Sequence, residues 1–157
     1  NVMFPLRMFT NQHKSEMLER VNEVLKRVKL ENVNNKFPSE ISGGMQKRVS
    51  IARAIVNKPK YLFCDEPNSG LDPKTAIVID NLIQEITHEY NITTVVVTHD
   101  MNSVVEIGEK IVFLKNGLLV WQGTNDEIFK TDNDDVTSFV YSSDLFKKIR
   151  DIQVKGG

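Results

Sequence analysis

The spacing of apolar residues predicts three helices in the first part of the chain. In residues 14–30 the apolar positions recur every three or four residues, which is typical of a helix with one buried face, and Ser15 is the expected N-cap. That apolar face consists of Leu18, Val21, Leu25 and Val28. A second helix is expected to begin within residues 42–44 and to end before Pro59, and a third is expected over residues 74–89.

Two short apolar runs predict strands, because each ends abruptly in polar residues. The first is "YLFC", followed by Asp65 and Glu66, and the second is "TTVVV", followed by Thr98, His99 and Asp100. A continuous apolar run of this length is typical of a strand buried on both faces. Since one predicted helix separates them, the strands are expected to be parallel neighbours in a βαβ unit. Asp65, Glu66 and His99 are therefore expected at one edge of one sheet, where open α/β folds place their ligands.

After the second strand the pattern predicts a hairpin and short helices. In "KIVFLKNGLLVWQG" two apolar runs are joined by Asn116 and Gly117, a pair typical of a type I′ turn, and Trp121 is interpreted as a packing residue. The segment "TNDE" at 124–127 is a capping box that opens a short helix. The tail, residues 131–157, is expected to form one or two short helices.

Composition limits the class of protein. The chain has 157 residues, of which 40% are hydrophobic, so one ordinary domain with a core is expected. Lys and Arg (20) almost balance Asp and Glu (21), and the net charge of −1 does not favour a nucleic acid or an anionic membrane as partner. No apolar run approaches the roughly 18 residues that cross a bilayer. The single cysteine, Cys64, is interpreted as a core residue of the first strand. The N-terminus has no initiator methionine and no signal peptide, so the chain is expected to be the middle of a longer protein.

The polar ends of the two strands are candidates for phosphate chemistry. Asp65 could hold Mg²⁺ beside a nucleotide's phosphates, and Glu66 could orient or deprotonate an attacking water. His99 could hydrogen-bond a terminal phosphate. Taken singly, each has a simpler explanation: acids often follow buried strands, and a loop histidine is often only a structural residue. The histidines share no ligand spacing with Cys64, so a zinc site is not expected.

A serine and two glycines precede the second helix in "ISGGMQKRVS". Ser42, Gly43 and Gly44 would offer a hydroxyl, approachable backbone N–H groups and a helix N-terminus to an anion, although a flexible linker is the simpler reading. The basic pair Lys47 and Arg48 is interpreted as a solvated helix face, and "NSGLDP" alone could be an ordinary turn. Independent explanations do not readily produce these segments in this order.

In this order the segments resemble the ATP-binding subunit of an ABC transporter. The resemblance extends over roughly residues 1–130 and is carried by "ISGGMQKRVSIARAI" (signature), "YLFCDEP" (Walker B), "NSGLDP" (D-loop) and "TTVVVTHD" (switch histidine). It implies an α/β fold of the P-loop NTPase type, a three-layer sandwich that is partial here. One incomplete domain, residues 1–157, would comprise a helical subdomain at about 1–45, a core lobe at about 46–130 and a C-terminal helical tail at about 131–157.

The resemblance also implies a role for each matching residue. Asp65 would coordinate Mg²⁺, Glu66 would be the catalytic base and His99 would contact the γ-phosphate of ATP. Asp72 would communicate across a nucleotide-sandwich dimer. Ser42, Gly43 and Gly44 would reach the γ-phosphate held by the opposite subunit, with Gln46 also expected among the nucleotide-binding residues. Met45 departs from the family's usual glutamine and would slightly weaken that contact.

The implied partners are a second ATPase subunit and transmembrane permease subunits, with no nucleic acid. The protein would be cytoplasmic and peripheral on the inner (plasma) membrane. The Walker A loop, the adenine-stacking aromatic residue and the glutamine loop of the family are not found in the sequence. Since all three lie upstream of the signature in the family, the resemblance implies that the chain is the C-terminal portion of a subunit of about 250 residues. We therefore expect that these 157 residues alone neither bind ATP tightly nor hydrolyse it.

Within the family, the sequence from "VVVTHD" to "TNDEIF", together with Met45, is similar to the ATPases of bacterial lipid-trafficking systems of the MCE type. Transport of envelope phospholipid is therefore the expected activity, although amino-acid, metal and lipoprotein systems share nearly all of these motifs. Two other classes remain open: a soluble ABC-type ATPase acting on DNA or the ribosome, and a non-catalytic docking or dimerisation module.

Overall fold

The computed structural model describes residues 1–142 and Lys147, and it divides into two compact units, residues 1–99 and the residues from Asp100 onward. The elements are α1 (Phe4–Phe9), α2 (Lys14–Arg27), α3 (Gly43–Ile55), β1 (Tyr61–Asp65), α4 (Pro73–Glu89), β2 (Thr93–Val97), α5 (Met101–Ile107), β3 (Lys110–Lys115), β4 (Leu118–Thr124), α6 (Asn125–Ile128) and α7 (Asp134–Val140). In the part of the chain described, no helix is both long and apolar enough to cross a bilayer.

Helix α2 confirms the first predicted helix but not its predicted cap. Its N-cap is His13, whose ring accepts from the backbone N–H of Ser15, while the Glu16 carboxylate accepts the His13 N–H at 2.7 Å. The prediction of Ser15 as N-cap is wrong because an imidazole nitrogen can also accept a backbone N–H. Leu18 is largely exposed, whereas the other three predicted face residues are buried.

Two arginines tie α2 and α3 together. Arg20 of α2 donates to the carbonyls of Ile55 and Val56 at the end of α3, at 3.2 and 2.9 Å. Arg48 of α3 in turn donates to the carbonyl of Lys29, just past the end of α2, at 2.9 Å. Each arginine satisfies carbonyls that a helix end leaves without an intrahelical donor. This exchange holds α3, which carries the signature segment, against α2.

The predicted βαβ unit is confirmed as a parallel pair. Strands β1 and β2 align Tyr61 with Thr93 through Asp65 with Val97, and α4 connects them. The buried face of α4 carries Ile79, Ile83 and Ile86, all less than 2% exposed. Burial of each such side chain contributes about 1.5–3 kcal/mol. This pairing brings the carboxyl ends of both strands to one edge.

The prediction that these strands are buried on both faces is wrong for the described residues. Leu62 is buried, but its neighbours Tyr61 and Phe63 are exposed, Phe63 by 74%. The reason is that β1 and β2 form a sheet of only two strands in residues 1–142, with one face covered. Cys64 is half-buried in this sheet, and burial raises the pKa of its thiol.

The second unit contains the predicted hairpin. Strands β3 and β4 are antiparallel, and the residues between them, Asn116 and Gly117, have φ values of 53° and 76°, as a type I′ turn requires. The predicted capping box is also confirmed, since the Glu127 carboxylate accepts the Thr124 N–H at 2.8 Å. Trp121 packs against a core cluster, as predicted. That cluster consists of Met101, Ile128, Val136 and Val140.

The predicted subdivision near residues 45 and 130 stays a prediction. Helix α7 lies within the predicted C-terminal helical tail, and residues 143–157 other than Lys147 lie outside the described residues.

Candidate nucleotide-hydrolysis site

The carboxyl edge of the β1–β2 sheet brings Glu66 and His99 together. The Glu66 backbone N–H donates to the carbonyl of Val97 at 2.9 Å, which extends the strand pairing by one residue. The Glu66 Oε1 atom accepts the backbone N–H of His99 at 3.1 Å and lies 2.7 Å from Nδ1 of the His99 ring. The two residues are 33 positions apart in the sequence, so the predicted proximity is confirmed. We call Glu66 and His99 the edge pair.

The edge pair is partly open to solvent. The side chain of Glu66 is 34% exposed and that of His99 is 80% exposed. The bond to Nδ1 constrains the orientation of the ring. The pair can therefore meet a ligand that approaches the sheet edge from solvent.

The backbone of Glu66 adopts a left-handed conformation, with φ of 45°. Its carbonyl accepts from the Ser69 N–H at 3.2 Å and from Nζ of Lys47 at 3.1 Å. Lys47 and Arg48 are both half-buried and both donate to carbonyls. The interpretation of this basic pair as a solvated helix face is therefore wrong, because both side chains reach inward to the backbone of other elements.

Asp65 is the last residue of β1 and its side chain is exposed at the same edge. Among residues 1–142 and Lys147, no group of three or more His, Cys, Asp or Glu side chains is arranged to hold a metal ion. The single Asp65 carboxylate suits Mg²⁺ bound to a nucleotide, because such an ion takes one or two carboxylates and fills its other positions with phosphate oxygens and water. It does not fit a metal held by protein ligands alone.

The N-terminus of α3 is formed by the predicted serine and glycines, residues 42–44, which we call the signature turn. Ser42 is the N-cap, and its hydroxyl accepts the Met45 N–H at 3.3 Å. Gly43 is exposed, whereas Gly44 is buried against Thr75. A Cβ on Gly44 would lie 2.7 Å from Cγ2 of Thr75, so only glycine fits there without displacing that side chain.

Gln46 lies beside the signature turn, but its amide is used locally. The Nε2 group donates to the carbonyl of Pro38 at 3.0 Å and lies 3.4 Å from that of Ile41. This contact holds the loop before α3 onto the helix. Its proposed role in nucleotide binding stays a prediction.

Asp72 caps the next helix in the chain. Its carboxylate accepts the Thr75 hydroxyl at 2.5 Å and the Thr75 N–H at 3.0 Å. These two hydrogen bonds, the hydroxyl first, hold the pKa of the Asp72 carboxyl below its ordinary value. Thr75 therefore contacts both Gly44 of the signature turn and Asp72 of the D-loop segment.

Three positioning contacts of this region were missed from the sequence. Asn68 donates to the Asp80 carboxylate at 2.8 Å inside the protein, where the two residues are 9% and 3% exposed. An acid among the isoleucines of the α4 apolar face was a signal for that contact. No sequence signal indicated the contact of Lys47 with Glu66 or that of Thr75 with Asp72. Each depends on which groups the folded chain brings within the length of that side chain.

The chain is similar to known ATP-binding cassettes. The family model described as "ABC transporter" matches residues 2–69. The dimeric ATP-binding cassette MJ0796, solved in a post-hydrolysis state bound to ADP and Pi, superposes with a TM-score of 0.69 at 37% identity, covering 79% of this chain and 54% of that one. The chain has the ABC ATPase fold.

A second solved structure agrees with this assignment. The protein cbiO1 of Clostridium perfringens, part of the ABC transporter complex cbiONQ, superposes with a TM-score of 0.76 at 29% identity, covering 96% of this chain and 59% of that one. The predicted α/β class and P-loop NTPase type are thereby confirmed for the part of the ABC fold that this chain represents.

The similar curated proteins are ATP-binding subunits of importers. Methionine import ATP-binding protein MetN 2 of Bacillus cereus is 41% identical over 129 residues, 82% of this chain and 38% of that protein. MetN of Bacillus subtilis is 39% identical over 137 residues, 87% of this chain and 40% of that protein. The chain thus spans about two fifths of the length of these relatives. They confirm the predicted resemblance to ABC transporter ATP-binding subunits and give no support to lipid trafficking.

Proposed function

We propose that this ABC chain belongs to an ATP-hydrolysing subunit that powers an importer and works as a nucleotide-sandwich dimer. The observation that carries the proposal is the edge pair, in which a carboxylate and an imidazole 33 positions apart lie 2.7 Å from each other. A base and the group that orients it, placed at the carboxyl edge of a parallel sheet, suit the attack of water on a phosphate.

In the proposed reaction Glu66 orients the attacking water and accepts its proton. His99 holds the carboxylate of Glu66 by its backbone N–H and by its ring, which keeps the base in one place. The His99 side chain is also proposed to contact a γ-phosphate oxygen. His99 therefore positions the base and senses the terminal phosphate.

Asp65 is the residue that would hold Mg²⁺, either directly or through water. When bound with ATP, Mg²⁺ neutralises charge that develops on the phosphates. The task of the chain itself is to keep Asp65 at the same edge of the sheet as the edge pair, which the pairing of Asp65 with Val97 does.

The signature turn is proposed to serve the ATP of the partner subunit. The hydroxyl of Ser42, the exposed backbone at Gly43 and the N-terminus of α3 together offer hydrogen-bond donors to an anion. Asp72, fixed by Thr75 beside Gly44, is proposed to communicate between the two subunits. The role of Gln46 would be to hold this turn through the Pro38 carbonyl.

The partners and substrate follow from the relatives and are proposals. Transmembrane permease subunits would anchor the protein at the cytoplasmic face of the membrane, and methionine or a similar small solute is the imported substrate that the relatives favour. The substrate is tested by measuring the transport of labelled methionine and of labelled phospholipid separately, in cells that carry or lack the gene. Loss of phospholipid transport alone would overturn the methionine assignment.

The hydrolysis role is tested by Glu66→Gln in the full-length subunit. We expect the rate constant for Mg-ATP hydrolysis to fall about 100-fold or more while ATP binding is retained, because the amide keeps the shape of the side chain but cannot accept the proton. Glu19→Gln, at an exposed position of α2, is the matched control and should hydrolyse normally. Undiminished turnover of Glu66→Gln would remove Glu66 from this role.

A second measurement addresses the isolated chain. The 157 residues alone are expected to show no Mg-ATP turnover, since they contain no GxxxxGK[ST] loop to cradle the β- and γ-phosphates. Turnover by the isolated chain that disappears in Glu66→Gln would refute this expectation.

A further inference from the structure

The side chain of Lys47 connects two segments that the proposed function assigns to different ATP molecules. Lys47 lies on α3, which begins with the signature turn, and its Nζ donates to the carbonyl of Glu66 at 3.1 Å. We propose that Lys47 is a positioning residue for the catalytic base and that it links the signature helix to that base. This inference rests on the roles proposed above for Glu66 and the signature turn.

The backbone of Glu66 needs to be held in place. A non-glycine residue with a φ of 45° adopts a conformation that costs about 1 kcal/mol or more, and such a residue keeps it only where its surroundings impose it. Three contacts do so: the Glu66 N–H donates to Val97, and its carbonyl accepts from Ser69 and from Lys47. Of these three contacts, the one from Lys47 is made by a side chain.

The Lys47 contact has a charged donor. The donor is a charged ammonium group on a half-buried side chain, and a charged donor roughly doubles the strength of a hydrogen bond. The other end of Glu66, its carboxylate, is held by His99. Glu66 is therefore held at its backbone carbonyl by Lys47 of α3 and at its carboxylate by His99, which follows β2.

This arrangement has a consequence for a dimer. The signature turn of one chain would meet the phosphate of its partner's ATP, whereas Glu66 of the same chain would activate the water that attacks that chain's own ATP. A shift of α3 when the turn engages phosphate would move Nζ of Lys47, and with it the Glu66 peptide. Lys47 would thus transmit the state of one nucleotide site to the base of the other by a direct contact.

The first test compares Lys47→Met and Lys47→Arg in the full-length subunit. Methionine keeps most of the side-chain length without a donor, so kcat should fall about tenfold, which corresponds to one hydrogen bond to a charged group, while KM for Mg-ATP stays unchanged. Arginine keeps a donor and should restore most of kcat. Lys14→Met, at an exposed position of α2, is the control. Unchanged kcat in Lys47→Met, or equal loss in both variants, would overturn the inference.

A second test asks which base Lys47 acts on, using mixed dimers that have a single competent site. When one subunit carries Glu66→Gln and its partner carries Lys47→Met, the only working base lacks its lysine, and turnover should fall about tenfold below that of the Glu66→Gln/wild-type dimer. When Glu66→Gln and Lys47→Met share one subunit, turnover should equal that reference. A loss of turnover only when both substitutions share one subunit would show that Lys47 acts through the signature turn instead.

These outcomes separate the two proposals. If Glu66→Gln abolishes hydrolysis and Lys47→Met leaves kcat intact, the hydrolysis role of Glu66 stands and the inference about Lys47 is wrong. If Glu66→Gln hydrolyses ATP normally, the proposed function itself fails.

Discussion

The edge pair and the signature turn lie in the same compact unit but are built in different ways. Glu66 and His99 come from positions 33 apart and bond to each other, so the fold assembles that part of the site within the chain. The signature turn is a local structure in which Ser42 caps the helix that it begins, through Met45. Its glycines pack on Leu71 and Thr75, and Gly43 stays exposed. A segment whose donors are arranged locally and face solvent suits a ligand brought by another molecule.

The largest effect that would sharpen this comparison is expected at Gly43. A Cβ there would make only ordinary contact with Leu71, at 3.7 Å, so Gly43→Asp should fold normally, and an acid in the first helical turn is favourable. The new carboxylate would repel the phosphate proposed to bind the turn, and ATP turnover of the full-length subunit should fall about 100-fold or more. Gly43→Ala is the control for size and should lose far less. Normal turnover in Gly43→Asp would break the comparison, because the turn would then have no anion to meet.

A smaller effect, on stability rather than chemistry, is expected at Gly44. In Gly44→Ala the added Cβ would lie 2.7 Å from Cγ2 of Thr75, and the free energy of unfolding should fall by about 1–3 kcal/mol in urea denaturation. Thr75→Ser removes that methyl group but keeps the hydroxyl that donates to Asp72. The double variant should therefore recover most of the loss, whereas equal instability with and without Thr75→Ser would show that the contact is not the cause.

The smallest effect is expected at Asp72 and depends on pH. Because the folded pKa of this carboxyl lies below its ordinary value of 3.8, the stability it contributes is fully present above that value and is lost as the pH falls through the folded pKa. Asn is also a good N-cap, so Asp72→Asn should be only slightly less stable at neutral pH. The thermal unfolding curves of the two proteins should converge in acid. A difference that grows as the pH falls would contradict the assignment.

The elements that short-range patterns determine were predicted correctly. A parallel pair of strands joined by one helix must bring its carboxyl ends together, which is why the proximity of Glu66 and His99 followed from spacing alone. The hairpin at Asn116 and Gly117 followed equally directly, because few residues accept two consecutive positive φ values. In these cases the backbone decides the outcome.

The details that depend on side-chain reach were not predicted. His13, and not Ser15 as predicted, is the N-cap of α2. Lys47 was expected to be solvated, but its side chain donates to the Glu66 carbonyl. Phe63 was expected to be buried and is exposed. An apolar run indicates that a strand favours burial, but it does not indicate which neighbouring elements cover it. Long flexible side chains and the identity of packing neighbours are properties of the tertiary structure.

The central claim is that the signature turn of one chain completes the site whose base belongs to the other. Mixed dimers of full-length subunits, isolated with two different affinity tags, test it most directly. One dimer combines a Glu66→Gln subunit with a Gly43→Asp subunit, and the other combines a subunit carrying both substitutions with a wild-type subunit.

In the first dimer one site keeps an intact base and an intact turn, so we predict ATP turnover far above that of either parent homodimer, up to half of the wild-type rate. In the second dimer each site has one defect, and turnover should stay at the level of the Glu66→Gln and Gly43→Asp homodimers. An inactive first dimer together with an active second dimer would contradict the account, because the turn would then serve the base of its own chain.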